Sequence, residues 1–210
     1  MKERPIFIGI AGGSASGKTT FAKQLASQLG LEAVHIIALD DYYHCQHDYP
    51  ISERMRRNYD CPEAIDFDLL FQHLRSLQAG EIITAPSYDF TTHARRDTTQ
   101  EIAPRPYIIV EGILTLHHAH FVSLFDYKVF IEAPNELRLT RRMTRDIKER
   151  GRTEESVRGQ WSETVEPMFQ RFCLPSSRDA DYRVDEHSFY QKALLLAHLC
   201  RESYRQGIEK

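Results

Sequence analysis

Short apolar runs bounded by turn residues recur along the chain. They occupy residues 6–11, 34–39, 107–110 and 127–131, with a weaker run at 180–184. Each run has the length of a strand, and runs that are apolar on both faces suit a parallel sheet covered by helices. The pattern therefore predicts buried strands at these positions.

Helical periodicity separates the runs. Apolar residues recur at three- and four-residue spacing in residues 19–29, 66–78, 135–149, 153–172 and 189–206. Asp66 and Asn135 stand where they can cap two of these helices, and Leu139, Met143 and Ile147 are expected to form an apolar face. Strands alternating with helices indicate an α/β fold with a doubly wound sheet.

Two segments, residues 42–65 and 82–106, show little periodicity of either kind. Irregular segments this long are unusual in a compact domain, and such loops usually carry function. No internal repeat, low-complexity tract or flexible linker divides residues 1–210, so a single domain is expected.

Composition excludes several classes of protein. Hydrophobic residues at 41% and charged residues at 27% disfavour disorder, and a net charge of −3 offers no global basic field for nucleic acid. The four cysteines lack a C-x-x-C pair, which predicts reduced thiols without a zinc site or disulfides. No apolar run approaches the roughly 18 residues of a membrane span. We expect a soluble cytoplasmic protein whose partners are neither nucleic acid nor membrane.

The first predicted strand leads into a glycine-rich loop of the form G-x-x-x-x-G-K-[ST], and a predicted helix follows it. Glycines let several backbone N–H groups converge on an anion, and the helix N-terminus adds its positive dipole. In this motif Lys18 reaches the β- and γ-phosphates, and the Thr19 hydroxyl takes a place on Mg²⁺. The predicted nucleoside triphosphate site comprises Gly12, Gly13, Ser14, Ala15, Ser16, Gly17, Lys18, Thr19 and Thr20.

Other residues favour one class of P-loop protein. The N-K-x-D motif of guanine-binding switches is absent, and the strand at 107–110 ends in Glu111 where a motor or helicase would carry aspartate. A small-molecule kinase needs a carboxylate near the acceptor hydroxyl and arginines to cover the transferring charge. Asp40 and Asp41 follow the strand at 34–39, where a doubly wound sheet opens its binding crevice.

Arginines are concentrated on one predicted helix and just beyond it. Arg138, Arg142 and Arg145 share one face, opposite the apolar face defined above. About half of the charged residues here are expected to be a solvated surface, while arginine rather than lysine favours recognition of phosphate and hydroxyl groups by the rest. A patch for nucleic acid is the weakest interpretation.

Taken together, these segments resemble the uridine–cytidine kinase family. The likeness covers residues 6–184 and rests on residues 9–20 (GIAGGSASGKTT), 40–43 (DDYY), 58–66 (NYDCPEAID), 86–95 (PSYDFTTHAR), 110–114 (VEGIL), 141–152 (RRMTRDIKERGR) and 172–175 (FCLP). The chain departs from the family at Cys61, where relatives commonly carry histidine. It departs again at residues 185–187, Asp-Glu-His, where they usually carry Pro-Arg-Gly.

The resemblance implies a P-loop kinase domain over residues 1–210, with a substrate-binding insertion at about 82–106 and an arginine-rich lid at about 138–160. It implies Mg²⁺-dependent transfer of the γ-phosphate of ATP or GTP to the 5′-hydroxyl of uridine or cytidine, giving UMP or CMP in pyrimidine salvage. A homotetramer inhibited by pyrimidine triphosphates is implied as well.

The family's chemical roles carry over to matching positions. Asp40 would be the general base, and Lys18 would act on the phosphates. Thr19, Asp40 and Glu111 would hold the metal and its waters. Arg145 and Arg150 would face the phosphates of the nucleotide.

The nucleoside-binding roles carry over in the same way. Asp60 and Arg142 would grip the ribose hydroxyls as a charged pair. Tyr88, Phe90 and His93 would form the base pocket. Two further residues would close over the nucleoside, Arg152 and Gln160.

Two alternatives remain open from the sequence. A phosphoribulokinase-like or other small-metabolite kinase would share Lys18 and Asp40 but would not need Tyr88, Phe90 and His93. A nucleotide-binding regulator without catalysis would bind ATP and show no turnover that depends on an acceptor.

Overall fold

A computed structural model describes residues 4–208 of the chain, and its centre is a five-stranded sheet. The strands are, in chain order, β1 (Ile6–Gly12), β2 (Val34–Ala38), β3 (Ile83–Ala85), β4 (Tyr88–Asp89), β5 (Ala94–Arg95), β6 (Gln100–Ile102), β7 (Tyr107–Glu111), β8 (Tyr127–Ile131) and β9 (Tyr182–Val184). The central sheet has the order β2-β7-β1-β8-β9, with every neighbouring pair parallel. The five strands predicted from apolar runs are confirmed.

Helices cover both faces of this sheet. They are α1 (Lys18–Leu29), α2 (Ile51–Arg54), α3 (Phe67–Gln78), α4 (Ala119–Val122), α5 (Asn135–Arg150), α6 (Glu154–Gln160), α7 (Glu166–Met168) and α8 (Phe189–Ile208). Leu25 of α1 and Leu196 of α8 pack in a cluster on one face, and Leu70 and Leu74 of α3 pack in a cluster on the other. The α/β architecture with a parallel sheet between helices is therefore as predicted.

The sheet order places a binding crevice beside β1. Chain connections run to β2 and β7 on one side of β1 and to β8 and β9 on the other. In open α/β sheets such a reversal leaves a crevice at the carboxyl ends of the strands, where ligands bind. The loop between β1 and α1 starts at that edge.

The two helix caps predicted from sequence have different outcomes. The Asp66 side chain accepts a hydrogen bond from the Leu69 amide at 3.1 Å, as predicted for an N-cap. The prediction for Asn135 is wrong, because Pro134 holds the capping position of α5 and Asn135 is already the first helical residue.

The predicted apolar face of α5 is also wrong. Leu139 and Met143 are only partly buried and Ile147 is 42% exposed, whereas Arg138 and Asp146 are at most 2% exposed. Helix α5 thus turns its charged face inward. This is tolerable because the buried charges on that face are paired with one another or with neighbouring elements.

The two segments without periodicity fold around the crevice. Residues 42–65 include α2 and a single helical turn, Pro62–Ala64. Residues 82–106 contain two antiparallel ladders, β3 with β6 and β4 with β5. The Arg95 guanidinium joins the insertions, because it donates to the Tyr43 carbonyl at 2.8 Å and pairs with Asp66 at 3.0 Å.

The helix predicted at 153–172 is a continuous helical stretch in which α6 and α7 alternate with wider π turns. All four cysteines are free thiols. Over residues 4–208, no helix has the length and apolar character needed to cross a membrane.

Candidate active site

The loop between β1 and α1 has the backbone that the glycine pattern requires. Gly17 precedes α1 with φ at 105°, and Gly12 ends β1 with φ at 149°, a range that L side chains rarely adopt. Lys18 is 8% exposed, and its ammonium donates to the Gly13 carbonyl at 3.0 Å. An ammonium carries three donors, so two remain for an anion. The loop fits a phosphate group.

A cavity of about 780 Å³ opens in front of this loop. The residues predicted for the site that line it are Ser14, Ala15, Gly17, Lys18, Thr19, Thr20, Asp40, Asp60, Tyr88, Phe90, His93, Glu111, Arg142, Arg145, Arg150, Arg152 and Gln160. Three predicted residues do not line it. Ser16 is 1% exposed, Gly12 ends its strand, and a side chain on Gly13 would meet Arg138. Contact between these three and a phosphate would therefore involve their backbone.

The structure distinguishes the adjacent carboxylates Asp40 and Asp41, which their position after the strand alone did not. The Tyr43 hydroxyl donates to Asp40 at 3.3 Å. Asp41 accepts a hydrogen bond from the backbone amide of Tyr88 at 3.0 Å, and burial raises its pKa. Asp41 thus anchors strand β4 to the segment after β2, and Asp40 is the carboxylate without such a backbone tie.

Oxygen ligands suited to a hard cation meet beside the phosphate loop. The Thr19 hydroxyl donates to the Glu111 carboxylate at 2.6 Å, and burial raises the pKa of Glu111. Within residues 4–208, no three His, Cys, Asp or Glu side chains form a ready-made metal site. Mg²⁺ is commonly bound through one or two carboxylates with substrate phosphates and water. The hydroxyl and carboxylates present therefore fit Mg²⁺ carried in with a nucleotide.

Asp60 and Arg142 both line the cavity, but the expected pair between them does not form. Arg142 donates instead to Ser14 at 2.7 Å and to Gln160 at 2.8 Å, and it faces Asp146 at 3.4 Å. Asp60 is 9% exposed, and its burial raises its pKa while the charge of Arg142 opposes the rise. A nearly buried carboxylate directed at a cavity favours hydroxyl donors as ligands.

One wall of the cavity, called the aromatic wall below, is formed by the side chains of Tyr43, Tyr59, Tyr88 and Phe90. Tyr88 packs edge-on against Tyr43 at 5.1 Å and against Phe90 at 5.3 Å between ring centroids. Tyr59 lies 5.1 Å from Tyr43 and stacks on His93 at 5.3 Å. Sequence reasoning missed Tyr43 and Tyr59, although both belong to the segments that carry the family resemblance. The wall is suited to a flat ring.

His93 combines an uncommon backbone conformation with a lowered side-chain pKa. Its φ of 50° lies in the left-handed region, where non-glycine residues are uncommon and often functional. Burial and the nearby guanidiniums of Arg152 and Arg150 lower its pKa. At pH 7 the ring is therefore neutral and has one donor and one acceptor nitrogen.

The predicted lid residues meet one another around the cavity. Arg142 and Arg152 both donate to the side-chain oxygen of Gln160. The Arg150 guanidinium lies over the Phe90 ring at 4.3 Å, nearer the aromatic wall than its predicted place at the phosphates. Arg141 and Glu186, joined at 2.5 Å, also line the cavity and were missed from the sequence.

Comparison with known proteins places the chain in a family. A model of the phosphoribulokinase/uridine kinase family matches residues 7–190. Uridine kinase of Clostridium perfringens strain SM101 is 44% identical over 184 residues, 88% of each chain. Uridine kinase of Shewanella amazonensis is 46% identical over 180 residues, 84% of this chain and 85% of that one.

Solved structures support the fold at lower identity. A protein of Silicibacter sp. TM1040 assigned as a fructose transport system kinase superposes with a TM-score of 0.71 at 18% identity. A possible uridine kinase from Bacillus stearothermophilus gives 0.57 at 23% identity, and each comparison covers 88% of this chain and 91% of the other. At these low sequence identities, the two superpositions support only the P-loop kinase fold. The family match and the closer relatives go further: the chain belongs to the phosphoribulokinase/uridine kinase family, and the predicted kinase of the uridine kinase type is confirmed.

Proposed function

We propose that the protein transfers the γ-phosphate of ATP or GTP to the 5′-hydroxyl of uridine or cytidine and so forms UMP or CMP. The observation that carries this proposal is a single cavity holding the phosphate loop, a nearly buried carboxylate and an aromatic wall with a neutral histidine. The curated relatives are named uridine kinase, which supports uridine as the acceptor.

Asp40 is proposed as the general base for the 5′-hydroxyl. It lines the cavity together with Lys18 and accepts a hydrogen bond from Tyr43, which restrains its orientation. Asp41 is less suited to this step because one of its oxygens accepts from the Tyr88 amide. In phosphoryl transfer a base positioned on the acceptor takes its proton as the new P–O bond forms.

On the nucleotide side, Lys18, the backbone of the phosphate loop and Arg145 are proposed to bind the phosphates. Arg150, predicted there from the family resemblance, lies over Phe90 on the acceptor side instead. Thr19, Asp40 and Glu111 would hold Mg²⁺ and its waters. When bound there, the ion would supply positive charge that offsets the negative charge developing on the phosphates. The protein groups keep the nucleotide and the acceptor in register, which is the larger part of catalysis in this class of reaction.

On the acceptor side, Asp60 and Arg142 are proposed to bind the ribose, although they do not pair with each other. The base would lie on the aromatic wall, where Phe90 supplies a stacking face. His93 can donate to the O4 atom of uracil in one tautomer and accept from the cytosine amino group in the other. Arg152 and Gln160 would close over the bound nucleoside. A homotetrameric, cytoplasmic enzyme of pyrimidine salvage completes the proposal on family resemblance.

One assay separates this proposal from its alternatives. Purified protein is given γ-labelled ATP or GTP, with uridine, cytidine, adenosine or ribulose 5-phosphate as acceptor. We expect labelled UMP and CMP. Preferred labelling of the sugar phosphate would support a phosphoribulokinase-like enzyme, and nucleotide binding without any labelled product would support a regulator.

Replacing Lys18 by alanine should lower kcat by about 10²–10³-fold, the loss typical of one electrostatic group at a transition state. The substitution removes a fixed cation from the predicted phosphate site. It also removes the hydrogen bond from the Lys18 ammonium to the Gly13 carbonyl. Steady-state kinetics with uridine and ATP would measure the loss. Lys23→Ala, an exposed change further along α1, is the matched control and should behave as wild type. A folded Lys18→Ala protein with normal turnover would contradict the assignment of the phosphate loop.

Replacing His93 by alanine should lower kcat/KM for uridine and cytidine together. The expected loss of transition-state stabilisation is roughly 1–3 kcal/mol, because the polar edge of the base is left without a partner. ATP affinity should not change. His93→Lys can only donate, so it should impair cytidine more than uridine. The measurement is kcat/KM for both nucleosides, with His198→Ala on the exposed face of α8 as control. If His93→Ala leaves both values unchanged, His93 does not read the base.

A further inference from the structure

Asp146 of α5 is a fully buried carboxylate at the centre of an arginine cluster. Its exposure is 0%, and it lies within ion-pair distance of four guanidiniums. One oxygen is 2.8 Å from Arg145 and 3.6 Å from Arg150, and the other is 3.4 Å from Arg142 and 3.7 Å from Arg152. Each carboxylate oxygen thus faces two guanidiniums.

These arginines reach the site and Asp146 does not. All four line the cavity, and Asp146 is absent from its wall. Two of them contact different parts of its wall, since Arg142 donates to Ser14 of the phosphate loop and Arg150 lies over Phe90 of the aromatic wall. A change at Asp146 would therefore act on the cavity only through its arginines.

The Asp146 carboxylate reduces the electrostatic repulsion among the four guanidiniums around it. Four like charges brought together repel one another. Burial and, after it, the charge of Arg145 lower the pKa of Arg150, while Asp146 opposes this shift. One buried anion among four cations reduces this repulsion and leaves three net positive charges, which still attract a polyphosphate.

Backbone geometry fixes the position of this anion. Asp146 lies on α5, whose end is closed by Gly151 with φ at 63°. The amide of Arg152 donates to the Asp146 carbonyl at 3.1 Å, which ties the segment after the helix to the same residue. Asp146 thus contacts the four guanidiniums through its carboxylate and the backbone after α5 through its carbonyl.

We propose that Asp146 is a positioning residue, which orients Arg142, Arg145, Arg150 and Arg152 toward the phosphates and the acceptor. The role rests on the proposed phosphoryl transfer. It predicts that loss of the carboxylate harms the transition state more than nucleotide binding, because removing an anion from the cluster increases its attraction for a triphosphate. Damage to the fold would instead weaken both.

Asp146→Asn tests this separation. We expect kcat with uridine to fall by about 10²-fold, the scale of a small displacement of catalytic groups. The Kd for ATP, measured by calorimetry without uridine, should stay equal or become tighter. Asp146→Glu keeps the charge but shifts it by one methylene, so its kcat should lie between those of the asparagine variant and wild type. Glu202→Gln on α8, which breaks the surface pair with Arg205, is the control.

Two results with Asp146→Asn would overturn the proposal. One is an Asp146→Asn protein with wild-type kcat. The other is a parallel loss of kcat, ATP affinity and thermal stability. If the asparagine variant does not fold, Asp146→Glu decides: lower kcat at unchanged Kd for ATP supports positioning, and wild-type kcat overturns it.

A chemical measurement keeps this test independent of uridine. Phenylglyoxal modification of the four arginines, mapped by mass spectrometry, should be faster in Asp146→Asn or Asp146→Glu than in wild type. Unchanged reactivity in the folded variants would overturn the proposal. If wild-type protein does not phosphorylate uridine, the proposed function fails, while arginine reactivity and ATP affinity still decide the role of Asp146.

Discussion

2′-Deoxyuridine should be a far poorer substrate than uridine, with kcat/KM lower by up to about 10⁴–10⁵-fold. The reason lies in Asp60 and Arg142, which line the cavity without pairing with each other. Asp60 is 9% exposed, so the ribose hydroxyls are proposed to be its principal partners. A deoxyribose would leave a nearly buried polar group unsatisfied. Sites built around a hydroxyl reject analogues that lack it for this reason.

The measurement is kcat/KM for the two nucleosides at saturating ATP. Asp60→Asn should reduce kcat/KM for uridine and narrow the ratio between the substrates, because an amide is a weaker acceptor of hydroxyl hydrogen bonds. ATP affinity of this variant is the control and should stay at the wild-type value. Equal kcat/KM for uridine and deoxyuridine in wild-type protein would contradict the proposal that Asp60 and Arg142 bind the ribose hydroxyls.

Asp40→Asn should retain nucleotide binding and lose about 10²–10⁴-fold in kcat, the usual contribution of a general base. The amide has nearly the shape of the carboxylate but cannot take the 5′-hydroxyl proton. Rapid-quench measurement of a single turnover with labelled ATP would locate the loss in the chemical step.

The neighbouring residue supplies a matched control. Asp41→Asn makes the same chemical change, yet the asparagine oxygen can still accept the hydrogen bond from the Tyr88 amide. We therefore expect a mild effect on kcat. A large loss in Asp41→Asn together with a mild loss in Asp40→Asn would show that the two roles are reversed.

The alternation of strands and helices was predictable because it depends on neighbouring residues. Strands β1 and β7 are buried along their whole length, as runs apolar on both faces require. The phosphate loop was predictable for a related reason. Its glycines at positive φ, Gly12 and Gly17, and the lysine that follows all lie within residues 12–18, so the motif is visible without tertiary structure.

Helix α5 shows where this reasoning stops. Counting apolar positions assigned its inner face to Leu139, Met143 and Ile147, but the structure buries Arg138, Arg142 and Asp146. Periodicity measures hydrophobicity along one helix and contains no information on partners elsewhere. Arg138 is buried because Glu166 pairs with it at 2.7 Å and Phe169 lies under its guanidinium.

The candidate site divides in the same way. By itself the amino-acid sequence determined the order of the elements, the phosphate loop and the carboxylates after β2, because apolar period and glycine conformation are local properties. Only the tertiary structure decided which side chains of the site contact one another. Tyr59 stacks on His93, Asp41 accepts a hydrogen bond from the Tyr88 amide, and Arg142 donates to Ser14. Such contacts join residues far apart in the chain, and their energies depend on distance and burial that no local pattern records.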